Sequence, residues 1–394
     1  MLEQLSSTKR LALCLAAGTA VRIACLLTAF PEAVQRRPEL TSPITSFRSL
    51  QEGVFLYRKG TSPYDGGVFY HSPAWLAVFS TVDPTPILWV IADLLGALAL
   101  TGIRDARLQS SSGYMAAALY LFNPYVLLSC LARSTAGLEN AVLLLTIYGR
   151  ATDNLILCGI CLSLVSHTSI YPIVLLPPLL KGLNGRQRGL MTATFAATFS
   201  LIFAANSLTF GWTWIRPSWG TILTVSDLTP NVGMWWYFFT EMFDHFRQFF
   251  LGVFQLHVVI YILPVCLRLD DPLHAVLVLL GVISTWKSYP TLADLGVWAG
   301  LLGCFPEVTS NLRHPLFTLA TYLHTFILLP LLHSLWLLTG TGNANFFYAA
   351  TMVHGLNSAL AVVDVVTAIM RYKLKEVVLW KDSYRAIQIT AIDG

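Results

Sequence analysis

Long apolar runs separated by short polar stretches set the pattern of this chain. The runs cover residues 11–30, 87–103, 113–131, 136–149, 155–180, 189–210, 249–267, 273–286, 295–305, 315–338 and 346–370. Several approach the roughly 20 residues that carry an α-helix across a bilayer, and others are clearly shorter. The run at 155–180 is interrupted at Pro172 and again at Pro177-Pro178. Proline removes a backbone donor and clashes with the preceding turn, so this run predicts a crossing plus a short return segment. Residues 11–30 are long for the apolar core of a signal peptide, and no small-x-small cleavage site is evident before Pro31, so they are read as the first membrane helix. The expectation is an all-α polytopic membrane protein, a single transmembrane domain over 1–394 with about twelve transmembrane helices, some broken or re-entrant.

Composition agrees with the pattern: 55% of residues are hydrophobic and 12% charged, with a mean hydropathy of +0.62. A soluble domain carries about twice that charged fraction. Lys and Arg in short loops are retained on the cytoplasmic side. They cluster at Lys9-Arg10, Arg104 to Arg107, Lys181 to Arg188 and Arg371 to Lys375. An even number of crossings separates these clusters, which predicts cytoplasmic termini, lumenal loops at 31–73 and 211–247, and a cytoplasmic tail at 371–394. Arg36, Arg37, Arg48, Arg58 and Lys59 run against this scheme, because they lie in the first lumenal loop. The net charge of +4 reflects topology, and no basic groove with interleaved aromatics points to nucleic acid. All seven cysteines lie in or beside apolar runs, so no disulfide framework is expected, and Cys158-x-x-Cys161 reads as helix packing rather than a redox or zinc site. No metal or cofactor is expected.

The chain contains no Gly-rich phosphate loop, no G-x-S-x-G and no H-E-x-x-H. It also lacks the internal duplication usual in secondary transporters, which weakens a reading as channel or transporter. Ionisable groups stranded in the apolar runs are Arg22, Asp93, Glu139, His167, His257, Asp294, His354 and Asp364. Such groups are expensive in hydrocarbon, and most satisfy a helix–helix hydrogen bond. Asp93, with Gly96 one turn on, and Asp364, set among valines, read as packing groups of that kind.

Five segments carry more. Ser226 to Phe246 joins a polar turn, with Asp227 and Thr229 as caps and Pro230 and Gly233 shaping the backbone, to the run Trp235-Trp236-Tyr237-Phe238-Phe239 and the acids Glu241 and Asp244. Such aromatics form either an interfacial anchor helix or a recognition surface. Trp286-Lys287-Ser288-Tyr289-Pro290-Thr291 separates two stretches too short to span, which predicts a broken helix near the lumenal leaflet. Lys287 there suits a phosphate, and Asp294 either pairs with Lys287 or meets a ligand amine or hydroxyl. In Thr339 to Tyr348, Asn343 and Asn345 present two amides, either as helix caps or as partners for sugar hydroxyls and phosphate oxygens, with Phe346 and Phe347 behind them. Ser62 to Pro73 is a Pro- and Gly-shaped loop, and Asn123 to Cys130 opens with Asn-Pro-Tyr.

Together these segments resemble the PIG-U family, the multi-spanning subunit of the GPI transamidase of the endoplasmic reticulum, from about residue 40 to residue 370. The resemblance implies a role in attaching glycosylphosphatidylinositol to proproteins with a cleaved hydrophobic C-terminal signal. It implies a fold similar to the GT-C membrane glycosyltransferases that add mannose to GPI. It further implies a non-catalytic, lipid-handling subunit whose partners are a peptidase-like catalytic subunit and accessory membrane subunits. The candidate GPI-binding set is Lys287, Tyr289, Asp294, Asn343, Asn345, Phe346, Phe347, Asp65, His71, Asn231 and Trp236. The alternative is an active GT-C glycosyltransferase with a dolichol-linked mannose donor. Such enzymes offer paired acids in the first lumenal loop, whereas Glu32, Glu39, Glu52 and Asp65 form no Asp-x-Asp or adjacent pair.

Overall fold

A computed structural model describes residues 6–392, with side chains through Lys375, and every regular element among them is helical. Most apolar runs return as helices with nearly the same bounds, because burial in lipid demands that each backbone group be satisfied within its own segment. Five helices are long and apolar enough to cross a membrane: Ile87–Leu108, Gly185–Phe210, Asp244–Arg268, Pro315–Leu337 and Ala344–Lys375. Tyr114–Leu121 and Pro124–Leu131, bent by 57° at a break capped by Asn123, make a sixth if counted as one span. The shorter apolar helices Leu155–Ser169, Tyr171–Leu180, Pro272–Trp286 and Leu292–Leu302 account for much of the difference from the expected twelve. Residues 371–392, expected as a tail, continue the last helix through Ile392, and side chains beyond Lys375 lie outside the described residues.

Prolines and polar caps explain the breaks. The Asp244–Arg268 span divides into Asp244–Val259 and Ile262–Arg268. Pro264 lacks the N–H that would bond to the Ile260 carbonyl, and the chain breaks there. The 155–180 run breaks at Ile170, whose φ is +61°, before Tyr171 and Pro172. The helix Pro272–Trp286 stops before Lys287 and resumes at Leu292, where Thr291 and Asp294 form a reciprocal capping box. The break expected at 286–291 is therefore present, and it sits inside the protein: Leu273 through Thr285 are all buried.

Ile87–Leu108 packs on Thr135–Ala151, which packs on Leu155–Ser169, which in turn packs on Gly185–Phe210. On the other side Pro315–Leu337 lies along the last helix, which also covers Pro272–Trp286. The ion pair Arg22–Asp93, at 2.7 Å and withdrawn from solvent, ties the Ser7–Leu26 helix to Ile87–Leu108. Arg22 also donates to the carbonyls of Gly18 and Leu121, and Asp93, expected as a packing group, accepts from its Nε at 2.8 Å. Asp364 accepts from the backbone N–H groups of Arg313 and His314 and so caps the Pro315–Leu337 helix from a neighbouring element.

The basic clusters, dispersed in sequence, converge on one end of the bundle. Arg10 meets Tyr114, Arg104 meets Ser112, Arg107 bridges Asp271 and Glu307, Lys181 donates to the Cys266 carbonyl, and Lys373 pairs with Asp270. The loops 31–73 and 211–247 and the turn at 339–345 gather at the opposite end. The two are called the basic end and the loop end below.

Candidate functional site

The loop end is assembled from segments that are individually irregular. The Ser42 N–H donates to the Thr45 hydroxyl, and Ser46 caps the helix Phe47–Arg58. The Glu39 carbonyl accepts from the Leu292 N–H at 2.9 Å, which fastens the first loop to the central helix break. Tyr289 anchors the second loop to the same break. Its hydroxyl donates to the Asp227 carbonyl at 2.9 Å and accepts from the Asp227 N–H at 3.1 Å. Arg37 donates to the Ser334 hydroxyl at 2.9 Å and so draws in the Pro315–Leu337 helix.

These three walls enclose a cleft of about 760 Å³, lined by polar residues of the first loop, by Asp227, Thr229 and Pro230, and by His333 and Leu337. Arg36 and Arg48 both line it, and both are exposed. Neither has an ion pair or hydrogen bond among the described residues, whereas Arg37 is engaged by Ser334 and Arg58 by the Ser80 carbonyl. Two guanidinium groups with no direct partner in one concavity offer contacts to an anion, and Arg is suited to phosphate in particular. Glu52 and Asp227 lie in the same cleft and offer acceptors for hydroxyls or amines. The sequence reading did not nominate Arg36 and Arg48 for the site. Their signal was present, however, as cations that run against the orientation rule and so need another reason to be where they are.

Beside the cleft stands an aromatic block. Trp235, Trp236 and Phe239 are buried, and Trp236 lies 6.1 Å from Trp336 and 5.9 Å from Phe347, centroid to centroid. His333, on the cleft wall, is 5.2 Å from Phe347. Three of the five aromatics are thus core packing, because Phe254, Trp336 and Phe347 arrive from three other helices to cover them.

The expected site residues distribute as follows. Asn343 and Asn345 are exposed at the head of the last helix. Asn343 accepts from the Phe346 N–H at 3.2 Å, the capping role, and Asn345 accepts from the Tyr237 hydroxyl. Phe346 is exposed and Phe347 fully buried. Asn231 is buried, and its own loop uses both ends of its amide: it donates to the Thr229 carbonyl and accepts from the Gly233 N–H. His71 is buried with Nε2 at 2.9 Å from the Ser46 carbonyl, and burial pushes its pKa down to about 4 against the opposing pull of that contact. Asp65 is exposed on the 62–73 loop and is not part of the cleft lining.

Lys287 and Asp294 pair with each other at 2.7 Å, with about a tenth of each side chain exposed. Asp294 also accepts from the N–H and the hydroxyl of Thr291. The pair borders a small internal void with Glu139, which accepts from Trp75 Nε1 at 3.1 Å. Of the two roles open to Asp294, the structure has the pairing with Lys287. The structure therefore brings segments 226–237, 286–291 and 343–348 together, and gives the Lys287 charge to Asp294 rather than to the cleft.

Comparison with known proteins extends over most of the chain. The model of a family described as GPI transamidase subunit PIG-U matches residues 16–354. The GPI transamidase component GAB1 of Saccharomyces cerevisiae is 33% identical over 364 residues, covering 89% of this chain and 92% of the yeast protein. The GPI-anchor transamidase component PIGU of Homo sapiens is 30% identical over 407 residues, covering 92% and 94% of the two chains. The GAB1 homolog of Schizosaccharomyces pombe is 31% identical over 363 residues, with coverage of 86% and 88%.

Proposed function

The chain belongs to the PIG-U family and is a subunit of the GPI transamidase complex, and from that premise we propose that it binds the GPI lipid and presents it for attachment to proproteins. In this reading the catalytic residues lie on another chain, a peptidase-like subunit, and the protein resides in the endoplasmic-reticulum membrane with both termini cytoplasmic. Taken with the five long spans, the bent pair, the four shorter apolar helices and the helix Ser7–Leu26 give eleven crossings, close to the expected twelve, in a GT-C-like arrangement.

The observation that carries the proposal is the cleft at the loop end, where Arg36 and Arg48 stand without an ion pair among acids and amides. A GPI headgroup joins phosphates to sugar hydroxyls and amines, so it needs cations and neutral or acidic acceptors within one concavity. Arg36 and Arg48 take phosphate. Asn343 and Asn345 lie outside the cleft lining, and with their amide nitrogens still available beyond the carbonyl contacts described above they extend the site to a further phosphate oxygen or hydroxyl. Phe346, exposed beside them, meets the apolar part of the lipid, with the buried Trp236–Phe347 block supporting it from behind. Lys287, Asp294, Tyr289, Asn231 and His71 hold the walls in place, and Asp65 shapes the rim of the first loop.

Bound GPI per assembled complex is the test. Arg36→Gln combined with Arg48→Gln removes two charge-assisted contacts of about 1.5–3 kcal/mol each at most, and occupancy should fall at least about tenfold. Replacement of both by Lys should retain a large part. Asn345→Ala should lose less, since its bonds are neutral. Unchanged occupancy in the double Gln variant overturns the assignment, and mannose transfer by the purified chain would replace it with the glycosyltransferase reading.

A further inference from the structure

A second concavity lies at the other end of the bundle. Between the divided span Asp244–Arg268, the helix Pro272–Trp286 and the last helix runs an apolar groove of about 630 Å³. Its walls are mostly valine and other aliphatic side chains. It exists because Pro264 interrupts the Asp244–Arg268 span: the chain turns at Ile260-Tyr261 and cannot lie flush against its neighbours. Toward the loop end the groove is closed by His257, whose ring meets Trp286 edge-on at 4.3 Å and whose nitrogens lie 3.4 Å from the Tyr261 hydroxyl. At the basic end it opens beside Arg268 and Met370.

Arg268 is exposed and has no ion pair or hydrogen bond among the described residues. The partners that would ordinarily neutralise it are taken. Lys181 donates to the carbonyls of Cys266 and Leu269 and so already satisfies the end of the Ile262–Arg268 helix. Asp270 is paired with Lys373. The mouth of the groove therefore carries a free guanidinium, while its interior is hydrocarbon. Between Ala359 and Met370 the groove follows the last helix for about 16 Å at 1.5 Å per residue. That is near half of the roughly 30 Å of bilayer hydrocarbon, the depth of one leaflet and too short for a crossing partner helix.

We propose that this groove binds an anionic glycerophospholipid of the leaflet at the basic end, with an acyl chain between the helices and the phosphate on Arg268. The site is separate from the cleft at the loop end, and it would make the phospholipid that the subunit retains depend on headgroup charge. A guanidinium that merely snorkels to water would show no such dependence.

The experiment uses the intact complex, reconstituted in nanodiscs of phosphatidylcholine containing a minor fraction of phosphatidylinositol or phosphatidylserine, then extracted and weighed by native mass spectrometry. The wild-type complex should retain anionic phospholipid enriched over the nanodisc composition. Arg268→Gln should lower that enrichment about tenfold, the equivalent of one charge-assisted contact, and Arg268→Lys should restore most of it. Ala359→Phe, which fills the deep end of the groove, should lower retained phospholipid of every headgroup with GPI per complex unchanged. The same anionic enrichment in wild type and Arg268→Gln, or no enrichment in wild type, overturns the proposal. So does loss of another subunit, rather than of lipid, from the Ala359→Phe complex.

Discussion

At the scale of single residues, Lys287 shows how a charge can be legible while its role is not. Its position at a helix break is local information, and the Trp286 to Thr291 interruption marks it. Its partner is set by the restart of the helix at Leu292, which aims Asp294 back across the break to 2.7 Å from the ammonium. Lys287→Ala leaves a carboxylate nine-tenths enclosed with only the Thr291 contacts, and breaking an ion pair of this kind costs about 3 kcal/mol or more. The expected result is a marked fall in thermal stability of the detergent-solubilised protein. The double variant Lys287→Met with Asp294→Asn should recover a large part of it, because Asp294 then no longer stands as an unpaired charge. If the single and double variants are equally destabilised, the pair does not act as a unit.

At the scale of elements, the central break is a junction between helices rather than a gap in one. Gly233 is the clearest instance. A Cβ at this position would sit 2.7 Å from Pro290 Cδ, so the second loop approaches the break more closely than any side chain permits. The sequence reading gave Gly233 the role of freeing the backbone, but its φ is not positive, and the reason for glycine is contact. Gly233→Ala should therefore cost about 1–3 kcal/mol by overpacking, detected as a lower melting temperature. Gly252→Ala, with open space around the added carbon, serves as the control and should be neutral or slightly stabilising. Equal effects at the two positions would remove the close-approach argument. Because Tyr289 bonds to Asp227, the same strain should also loosen the wall of the cleft.

At the scale of the whole molecule, the convergence of the basic clusters gives the orientation proposal a three-dimensional form. Lys9-Arg10, Arg104 to Arg107, Lys181 and Arg371 to Lys375 could each have been reconciled with several helix counts. Their contacts with one another and with segments 266–271 and 303–311 put them at one end. In a cysteine-depleted chain, single cysteines at Asp65 and Arg216 should react with a membrane-impermeant reagent from the lumenal side, and those at Ser111 and Gly185 from the cytosol. Labelling of Asp65 and Ser111 from the same side would defeat the orientation.

The sequence by itself determined the helical membrane class, the positions of most apolar helices, the interruption at 286–291 and the family, since hydropathy, proline breaks and motif order are properties of neighbouring residues. It also offered capping as one of two roles for Asn343, whose bond to the Phe346 N–H spans three residues. Tertiary structure alone decided which charges are spent and which are free. Arg22 meets Asp93 across 71 positions, and Asp364 caps a helix that begins 49 positions before it. Trp235 and Trp236 become core because Phe254, Trp336 and Phe347 reach them from elsewhere in the chain. Arg36, Arg48 and Arg268 resemble every other cation in the sequence. Each lines a concavity and, among the described residues, has no acid or carbonyl bonded to it, and that is fixed by how helices distant along the chain pack, not by the residues that flank each arginine.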